Sequence, residues 1–240
     1  MRASRIIHAL MLLLLVASCG RPDKGDNGED TDRGDAASPF SYEEGDTLRL
    51  QPGQAPNLTE WMRFHSKADS AWKTSRFIAS GVNIHIDSMD AAPPLSDDRM
   101  RAFGTLFSWS PDSSRCIDIW SYNRLMETEN DGSSSMVGGG PDQMVALSDR
   151  SGKRRLQVMF NGPMQMAETA DWISSDAFLL GMVNIDESEG TFVPEILLFN
   201  LVDTVYTNFR YPDTLSLDRL PGGEGGFVAD WLKGRGVRQR

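Results

Sequence analysis

Residues that commonly carry catalysis are scarce in this 240-residue sequence. It has three histidines and two cysteines, Cys19 and Cys116, so a histidine-activated nucleophile or a soft metal site has few residues to use. The phosphate-binding loop, the dinucleotide-binding glycine pattern, the nucleophile elbow and the paired-histidine zinc motif are all absent from it. We therefore predict no catalytic residues, no metal site, no nucleotide and no other cofactor.

Long hydrophobic runs are limited to the N-terminus. Two arginines precede an apolar stretch at residues 6–16, and the small residues Ala17 and Ser18 follow it. A transmembrane helix needs about 20 apolar residues, so this stretch is too short to be a permanent membrane span. The layout is that of a secretory signal peptide, which we predict at residues 1–18.

A short motif follows this apolar stretch. Val16-Ala17-Ser18-Cys19 resembles the lipobox of bacterial lipoproteins, in which an aliphatic residue and two small ones precede the cysteine. The resemblance implies that Cys19 carries a diacylglyceryl group after cleavage, and two lipid chains suffice for stable attachment to a bilayer. The alternative is an ordinary cleaved signal followed by an incidental cysteine.

The segment after the motif is polar and acidic. Residues 20–38 contain no large apolar side chain and cannot bury enough surface to fold, so residues 19–45 are predicted to be a flexible tether. Their composition also resembles surface-export signals of lipoproteins from envelopes with two membranes. Together, the two resemblances imply a bacterial cell envelope protein that is lipid-anchored in the outer membrane and faces the periplasm or the cell surface.

Positive charge is in deficit. Without residues 1–18 the chain has 22 basic against 34 acidic residues. An acidic surface argues against nucleic acid, which requires a basic footprint, and against electrostatic binding to anionic lipid. The predicted partners are therefore the membrane, through the lipid on Cys19, and another envelope protein.

One domain is predicted at residues 46–221, and one amphipathic helix near its start. The sequence Asn57-Leu58-Thr59-Glu60 resembles a capping box, and aromatic residues then recur at helical spacing. We predict a helix over residues 58–75. His65, beside the aromatic stripe, is expected to be a surface or helix-edge residue rather than a metal ligand.

The rest of the domain reads as strands separated by turn residues. Residues 82–86 alternate between apolar and polar side chains. Further strands are predicted at 99–109, 115–122, 142–148, 154–160, 177–184, 193–202 and 204–211. The predicted fold is mainly β, with antiparallel sheets and the helix packed on one side.

A repeat of about 63 residues relates two parts of the domain. Each begins with a tryptophan, Trp109 or Trp172, followed by a polar turn and an apolar strand. The stretch WSPDSSRCIDIW resembles the start of β-propeller blades, with Ser113 where those families usually have glycine. The resemblance implies blade-like units at 107–160 and 170–211 in a partial or open propeller, or two packed sheets, since a closed ring needs at least four blades.

Three alternatives remain for chemistry. Scattered carboxylates might form a hydrolytic pair in space: Asp87, Asp90, Asp97, Asp98 and Asp118. Tryptophans might stack on sugars: Trp109, Trp120 and Trp172. Cys116 might pair with His85, although its strand position favours a buried, inert thiol.

Two classes of function follow from these observations. We expect a lipid-anchored binding or assembly module of the cell envelope; the alternative is a tethered glycan- or peptide-binding protein or hydrolase. Residues 222–240 form a glycine-rich hinge and a basic tail. The sequence leaves open whether Phe227 and Trp231 dock this tail onto the domain.

Overall fold

The structure is a computed structural model that describes residues 40–86, 89–223 and 225–240. The signal peptide, the lipobox with Cys19, Asp87 and most of the tether predicted at 19–45 lie outside the described residues.

Antiparallel β-strands dominate the described chain, which confirms the prediction of a mainly β fold. Three helices have these bounds: α1 Pro56–His65, α2 Asp97–Phe103 and α3 Gly226–Gly234. The strands are β1 Ile78–His85, β2 Ser108–Trp109, β3 Arg115–Asp118, β4 Arg124–Thr128, β5 Ser134–Gly138, β6 Gln143–Asp149, β7 Arg155–Asn161, β8 Gln165–Trp172, β9 Ala177–Asp186, β10 Thr191–Asn200, β11 Val205–Arg210, β12 Leu215–Ser216 and β13 Val237–Gln239.

The largest sheet has the order β1-β11-β10-β9-β8, and β12 pairs with β10. Its central strands β9 and β10 are buried along most of their length. Near-continuous apolar sequence of this kind is expected when both faces of a sheet are covered. Helix α1 packs on one face of this sheet at Gly181 of β9. A Cβ at this position would come within 2.9 Å of the Trp61 ring, so the close approach of the helix requires glycine.

Two smaller sheets complete the domain. One has the order β2-β3-β6-β7, and the other has the order β13-β5-β4 with β13 parallel to β5. Gln143 on β6 joins the four-stranded sheet to β8, because its side chain donates to the Ala167 carbonyl at 2.8 Å and accepts from the Ala167 amide at 2.7 Å. The Gln143 side-chain nitrogen also donates to the Ile119 carbonyl. The two sheets therefore meet through one polar side chain whose hydrogen-bonding atoms all have partners.

The two tryptophan units form comparable hairpins. Trp109 ends β2 and lies opposite Cys116, whereas Trp172 ends β8 and lies opposite Phe178. Each tryptophan therefore ends the strand before the turn. For Trp109 this is the end of the strand predicted at 99–109, whereas the sequence predicted no strand at Trp172. Ser113 has φ +56° in the first turn, a left-handed conformation that glycine adopts at less cost.

The helices differ from the prediction in two places. The helix predicted at 58–75 is α1, which ends at His65 and continues as a single 3-10 turn at Ser66–Ala68. Asn57 lies inside the helix rather than capping it, and its side chain binds β8. The strand predicted at 99–109 is correct only at Ser108–Trp109, since residues 99–103 lie in α2 and residues 104–107 form a turn.

Helix α2 occupies the first part of that segment because the local capping chemistry outweighs the apolar pattern. The Ser96 hydroxyl accepts a hydrogen bond from the Arg99 amide, and two aspartates lie in the first turn. Both features stabilise a helix N-terminus.

The C-terminal tail docks onto the domain. Its helix α3 buries Phe227 and Trp231, and β13 adds to the sheet through β5. The strands β4, β5 and β8 also occupy segments for which the sequence predicted none. No helix among the described residues has the length and apolar character that crossing a bilayer requires.

Candidate ligand-binding cavity

A cavity of about 70 Å³ lies where α1, β8, the β2–β3 hairpin and the C-terminal tail meet. Its walls combine apolar side chains with a few polar ones. The lining residues are Asn57, Thr105, Leu106, Phe107, Ser108, Ile117, Ile119, Trp120, Thr169, Ala170, Trp231 and Arg235. Thr105 and Arg235 are exposed whereas Trp120 and Thr169 are buried, so the cavity runs inward from the surface.

Two polar atoms in this cavity wall lack a hydrogen-bond partner within the described chain. They are the Thr169 hydroxyl oxygen and the Trp231 indole nitrogen. Thr169 is 2 % exposed and Trp231 is 6 % exposed, so bulk water does not solvate them. Leaving a buried polar atom unpaired costs about 1–3 kcal/mol. Both atoms belong to residues that line the cavity, but each has less than 1 Å² of accessible surface, so neither opens onto the cavity space.

Both faces of the Trp231 ring are already covered. The Trp120 ring stacks on it with centroids 5.0 Å apart and planes 18° apart, and the Arg235 guanidinium carbon lies 3.5 Å from its centroid. Arg124 lies 5.9 Å from the Trp120 centroid and extends the stack. The faces of the Trp231 ring therefore offer no surface on which a ligand could stack.

An amide links the positive and negative groups beside the cavity. Arg235 donates to the Asn57 side-chain oxygen at 3.1 Å, and the Asn57 nitrogen donates to Asp171 at 2.8 Å. The second Asp171 oxygen accepts from the Leu58 amide at 2.6 Å. These hydrogen bonds thus hold both Asp171 oxygens in place and orient the Arg235 guanidinium at the cavity wall.

Burial shifts the pKa values of Asp171 and Arg235 in opposite directions. It raises the pKa of Asp171 to about 6, against the hydrogen bonds from Leu58 and Asn57, which lower it. It also lowers the pKa of Arg235. In both cases burial disfavours the charged form. An anion in the cavity would favour the charged form of Arg235.

A second polar contact fixes α1 on β8. Glu168 accepts from the Trp61 indole at 2.8 Å and contacts the His65 ring nitrogen Nε2 at 2.7 Å. Of the two positions expected for His65, the surface is wrong, since the residue is 1 % exposed; it is the last residue of α1. Together with Asp171, Glu168 sets the position of α1, which carries Asn57 to the cavity.

The carboxylates that the sequence singled out do not line this cavity. Asp97 and Asp98 are exposed in the first turn of α2, Asp90 is exposed beside β7, and Asp118 is buried on β3. No aspartate, glutamate, histidine or cysteine is among the lining residues. No group of three such residues in the described segments could hold a metal ion.

The cysteine, histidine and tryptophans that the sequence singled out are mostly part of the sheets rather than of the cavity. Cys116 is a free, fully buried thiol on β3, whereas His85 is exposed on β1 in another sheet. The Trp109 indole donates to the Gly104 carbonyl and that of Trp172 to the Ser108 carbonyl, each at 2.9 Å. Trp120 lines the cavity within the stack on Trp231.

Sequence reasoning missed most of the cavity. Thr169 and Asp171 lie in the segment AETADW, where polar residues interrupt an otherwise buried strand. That interruption is the one local signal that pointed to a site. Trp231 and Arg235 come from the tail, more than 50 residues further along the chain, and no spacing rule connects them to β8.

Comparison with known protein families, with characterised proteins and with solved structures finds no match to this chain. The cavity geometry therefore carries the functional argument by itself.

Proposed function

We propose that the protein is a lipid-anchored binding module of the bacterial cell envelope, which holds a ligand without transforming it. The observation that carries this proposal is the cavity of about 70 Å³ that runs inward from exposed Thr105 and Arg235 between α1, β8 and the C-terminal tail. Its walls offer hydrogen-bond donors and apolar contacts, as ligand sites typically do.

Binding fits this cavity better than hydrolysis. General acid–base chemistry needs a titratable group within hydrogen-bond reach of the substrate, and no acid, histidine or cysteine is among the lining residues. Asp171 lies behind Asn57, and both of its oxygens already accept hydrogen bonds. The alternative in which a carboxylate pair cleaves a glycan or peptide has no counterpart in this geometry.

The proposed architecture places the cavity in a domain built from two blade-like units. The sheet β2-β3-β6-β7 corresponds to residues 107–160, and β8 to β11 correspond to residues 170–211. We propose that this arrangement is a partial propeller carried by the tether at 19–45. A tethered domain raises the effective concentration of a weak interaction at the membrane surface.

Anchoring rests on Cys19 and is tested by fractionation. We expect Cys19→Ala to move the protein from the outer membrane to the soluble fraction or to leave it as an uncleaved precursor, because the two lipid chains are lost. The matched control is Cys116→Ala, which leaves the lipobox intact. A Cys19→Ala protein that stays in washed membranes at the wild-type level would reject the anchor.

A further inference from the structure

We propose that the edge of β5 opposite β4 is a binding surface for an extended, basic segment of a partner protein, and that the chain's own strand β13 occupies this edge in the structure. The surface belongs to the β4–β5 hairpin, residues 124–138. None of the hairpin residues lines the cavity, so this surface is separate from the one proposed above to hold a ligand.

The backbone of β13 binds β5 as an added strand. It runs parallel to β5, with Val237 opposite Ser134. The Arg240 amide donates to the Met136 carbonyl at 3.0 Å. Main-chain pairing of this kind is how extended peptides bind an exposed sheet edge. It depends little on the sequence of the added strand, so it contributes affinity rather than specificity.

The side chains of β13 determine which sequence fits this edge. Val237 is 7 % exposed and belongs to the hydrophobic core. Arg238 pairs with Asp131 at 3.0 Å, and Arg240 pairs with Glu129 at 2.6 Å. A matching segment therefore has an apolar residue followed by basic residues one and three positions later.

The acidic side of the hairpin is formed without β13. The Ser133 amide and hydroxyl donate to one Asp131 oxygen at 3.0 and 2.6 Å, which leaves the other oxygen for a cation. The Glu129 amide donates to the Ser133 carbonyl at 2.8 Å and closes the hairpin turn. Glu127 lies 3.7 Å from Arg240 and adds a third negative charge. Positive charge on a partner would complement this surface.

Strand β13 itself is weakly held. It has three residues at the edge of its sheet, and parallel pairing is slightly less stable per residue than antiparallel pairing. The side chains of Arg238 and Arg240 are 62 % and 54 % exposed, and such exposed ion pairs contribute little. The link from α3 contains Gly236 at φ +74°. A partner segment can therefore displace β13 while α3, whose Phe227 and Trp231 are buried, stays docked.

The experiment uses the lipid-free full-length chain, isotope-labelled, and records the amide resonances of Ser134 and Met136 by nuclear magnetic resonance. The probe is the peptide acetyl-GVRQR-amide, which has the sequence of residues 236–240, and its neutral counterpart is acetyl-GVSQS-amide. Wild-type protein should bind the probe only weakly. Its own β13 competes at an effective concentration on the order of millimolar.

A double variant, Arg238→Ser with Arg240→Ser, weakens β13 and leaves the hairpin unchanged. It should bind the GVRQR peptide with a dissociation constant on the order of 1 mM, about tenfold more tightly than wild type does. The matched control is Arg150→Ser with Lys153→Ser, which removes two exposed positive charges from the β6–β7 turn. This control should bind the peptide as weakly as wild type does.

Removal of the acidic charges tests the same contacts from the hairpin side. Adding Glu129→Gln and Asp131→Asn to the double variant should weaken binding of the GVRQR peptide about tenfold, the loss expected for two exposed ion pairs. The GVSQS peptide should bind the double variant equally weakly. Adding Glu187→Gln instead, at an exposed position in the β9–β10 turn, should leave binding unchanged.

Several outcomes would overturn the inference. Equal binding of the GVRQR peptide to wild type and to the double variant would show that β13 does not occupy the peptide's site. Equal binding of the two peptides would show that charge is not recognised, and no shift at Ser134 and Met136 would show that β5 accepts no added strand. A wild-type dimer that the double variant no longer forms would assign the edge to a second copy of the chain. None of these outcomes involves the cavity, so the proposed ligand-binding function would stand.

Discussion

Two polar clusters in this domain differ in how many of their hydrogen-bonding atoms have partners. In the Asp118 cluster (Asp118, Ser121 and Arg155), the carboxylate accepts from the amides of Trp120 and Ser121, from the Ser121 hydroxyl and from Arg155. Only the Arg155 Nε atom lacks a partner there. In the cavity cluster (Thr169, Trp231 and Arg235), two of the three side chains have a buried polar atom without a hydrogen-bond partner.

This difference separates a cluster with a structural role from one at the cavity that we propose to be a binding site. Arg155 also donates to the Pro93 carbonyl at 2.9 Å, so the Asp118 cluster ties the segment before α2 to β3 and β7. A network with nearly all of its donors and acceptors used has nothing to offer a ligand. The cavity cluster is less saturated, and its three residues line the cavity.

The largest expected effect comes from breaking the Asp118 cluster. Arg155→Met leaves the Asp118 carboxylate, which is 1 % exposed, without its counter-charge. Removing one partner of a buried ion pair costs about 3–5 kcal/mol, so the free energy of unfolding, measured by urea denaturation, should fall by that amount.

The matched control for this variant is Arg115→Met. Arg115 forms a partly exposed ion pair with Asp176 at 2.8 Å, and such pairs contribute about 0–1 kcal/mol. Equal losses in the two variants would contradict the distinction between a structural cluster and a surface pair.

A smaller effect is expected from the pH dependence of the cavity. The pKa of Asp171 is raised from 3.8 to about 6 in the folded protein, so the folded state binds this proton more tightly than the unfolded state does. Stability from this group is therefore greatest below pH 4 and is lost as the pH rises through about 6. Between pH 4 and pH 7 the loss amounts to about 2 kcal/mol.

Asp171→Asn should remove this part of the pH dependence, which is measured as the difference in unfolding free energy between wild type and variant at the two pH values. The control Asp176→Asn should act in the opposite direction, because hydrogen bonds from Ser175 and Arg115 lower the pKa of Asp176. A difference between wild type and Asp171→Asn that does not change with pH would show that Asp171 titrates normally.

The strands were predictable wherever the local pattern was strong. The predicted segments 142–148, 154–160 and 193–202 correspond to β6, β7 and β10 within one or two residues at each end, because each is an apolar run bounded by turn residues. The fold class follows from such segments. Helix α2 was missed because Ser96 and two aspartates compete with an apolar pattern that suits either structure.

The cavity was not predictable from local patterns, because its parts are distant in sequence. Asn57 comes from α1, Thr169 from β8 and Trp231 from the tail, and only tertiary packing brings them together. Asn57 illustrates the problem, since the sequence favours it as a helix cap. In the fold its side chain joins Asp171 to Arg235 instead.

The smallest expected effect concerns the thiol beside the Asp118 cluster. Cys116 lies two residues before Asp118 on β3 and is fully buried, and burial raises its pKa to about 12. At pH 8 the thiolate fraction is therefore about 1 in 10⁴, and a thiol reagent should label the native protein only as fast as the sheet opens. The rate of labelling without denaturant measures that opening.

Variants at the two clusters should change this labelling rate differently. Arg155→Met should raise it by about a hundredfold, because a loss of roughly 3 kcal/mol in local stability corresponds to that factor. Thr169→Val replaces an unpaired hydroxyl with a methyl group and should leave the rate within about twofold of wild type. Rapid stoichiometric labelling of native wild-type protein would contradict the burial of Cys116. An increase in Thr169→Val as large as in Arg155→Met would show that the cavity supports the sheet as strongly as the Asp118 cluster does, and the separation of structural and binding roles would then fail.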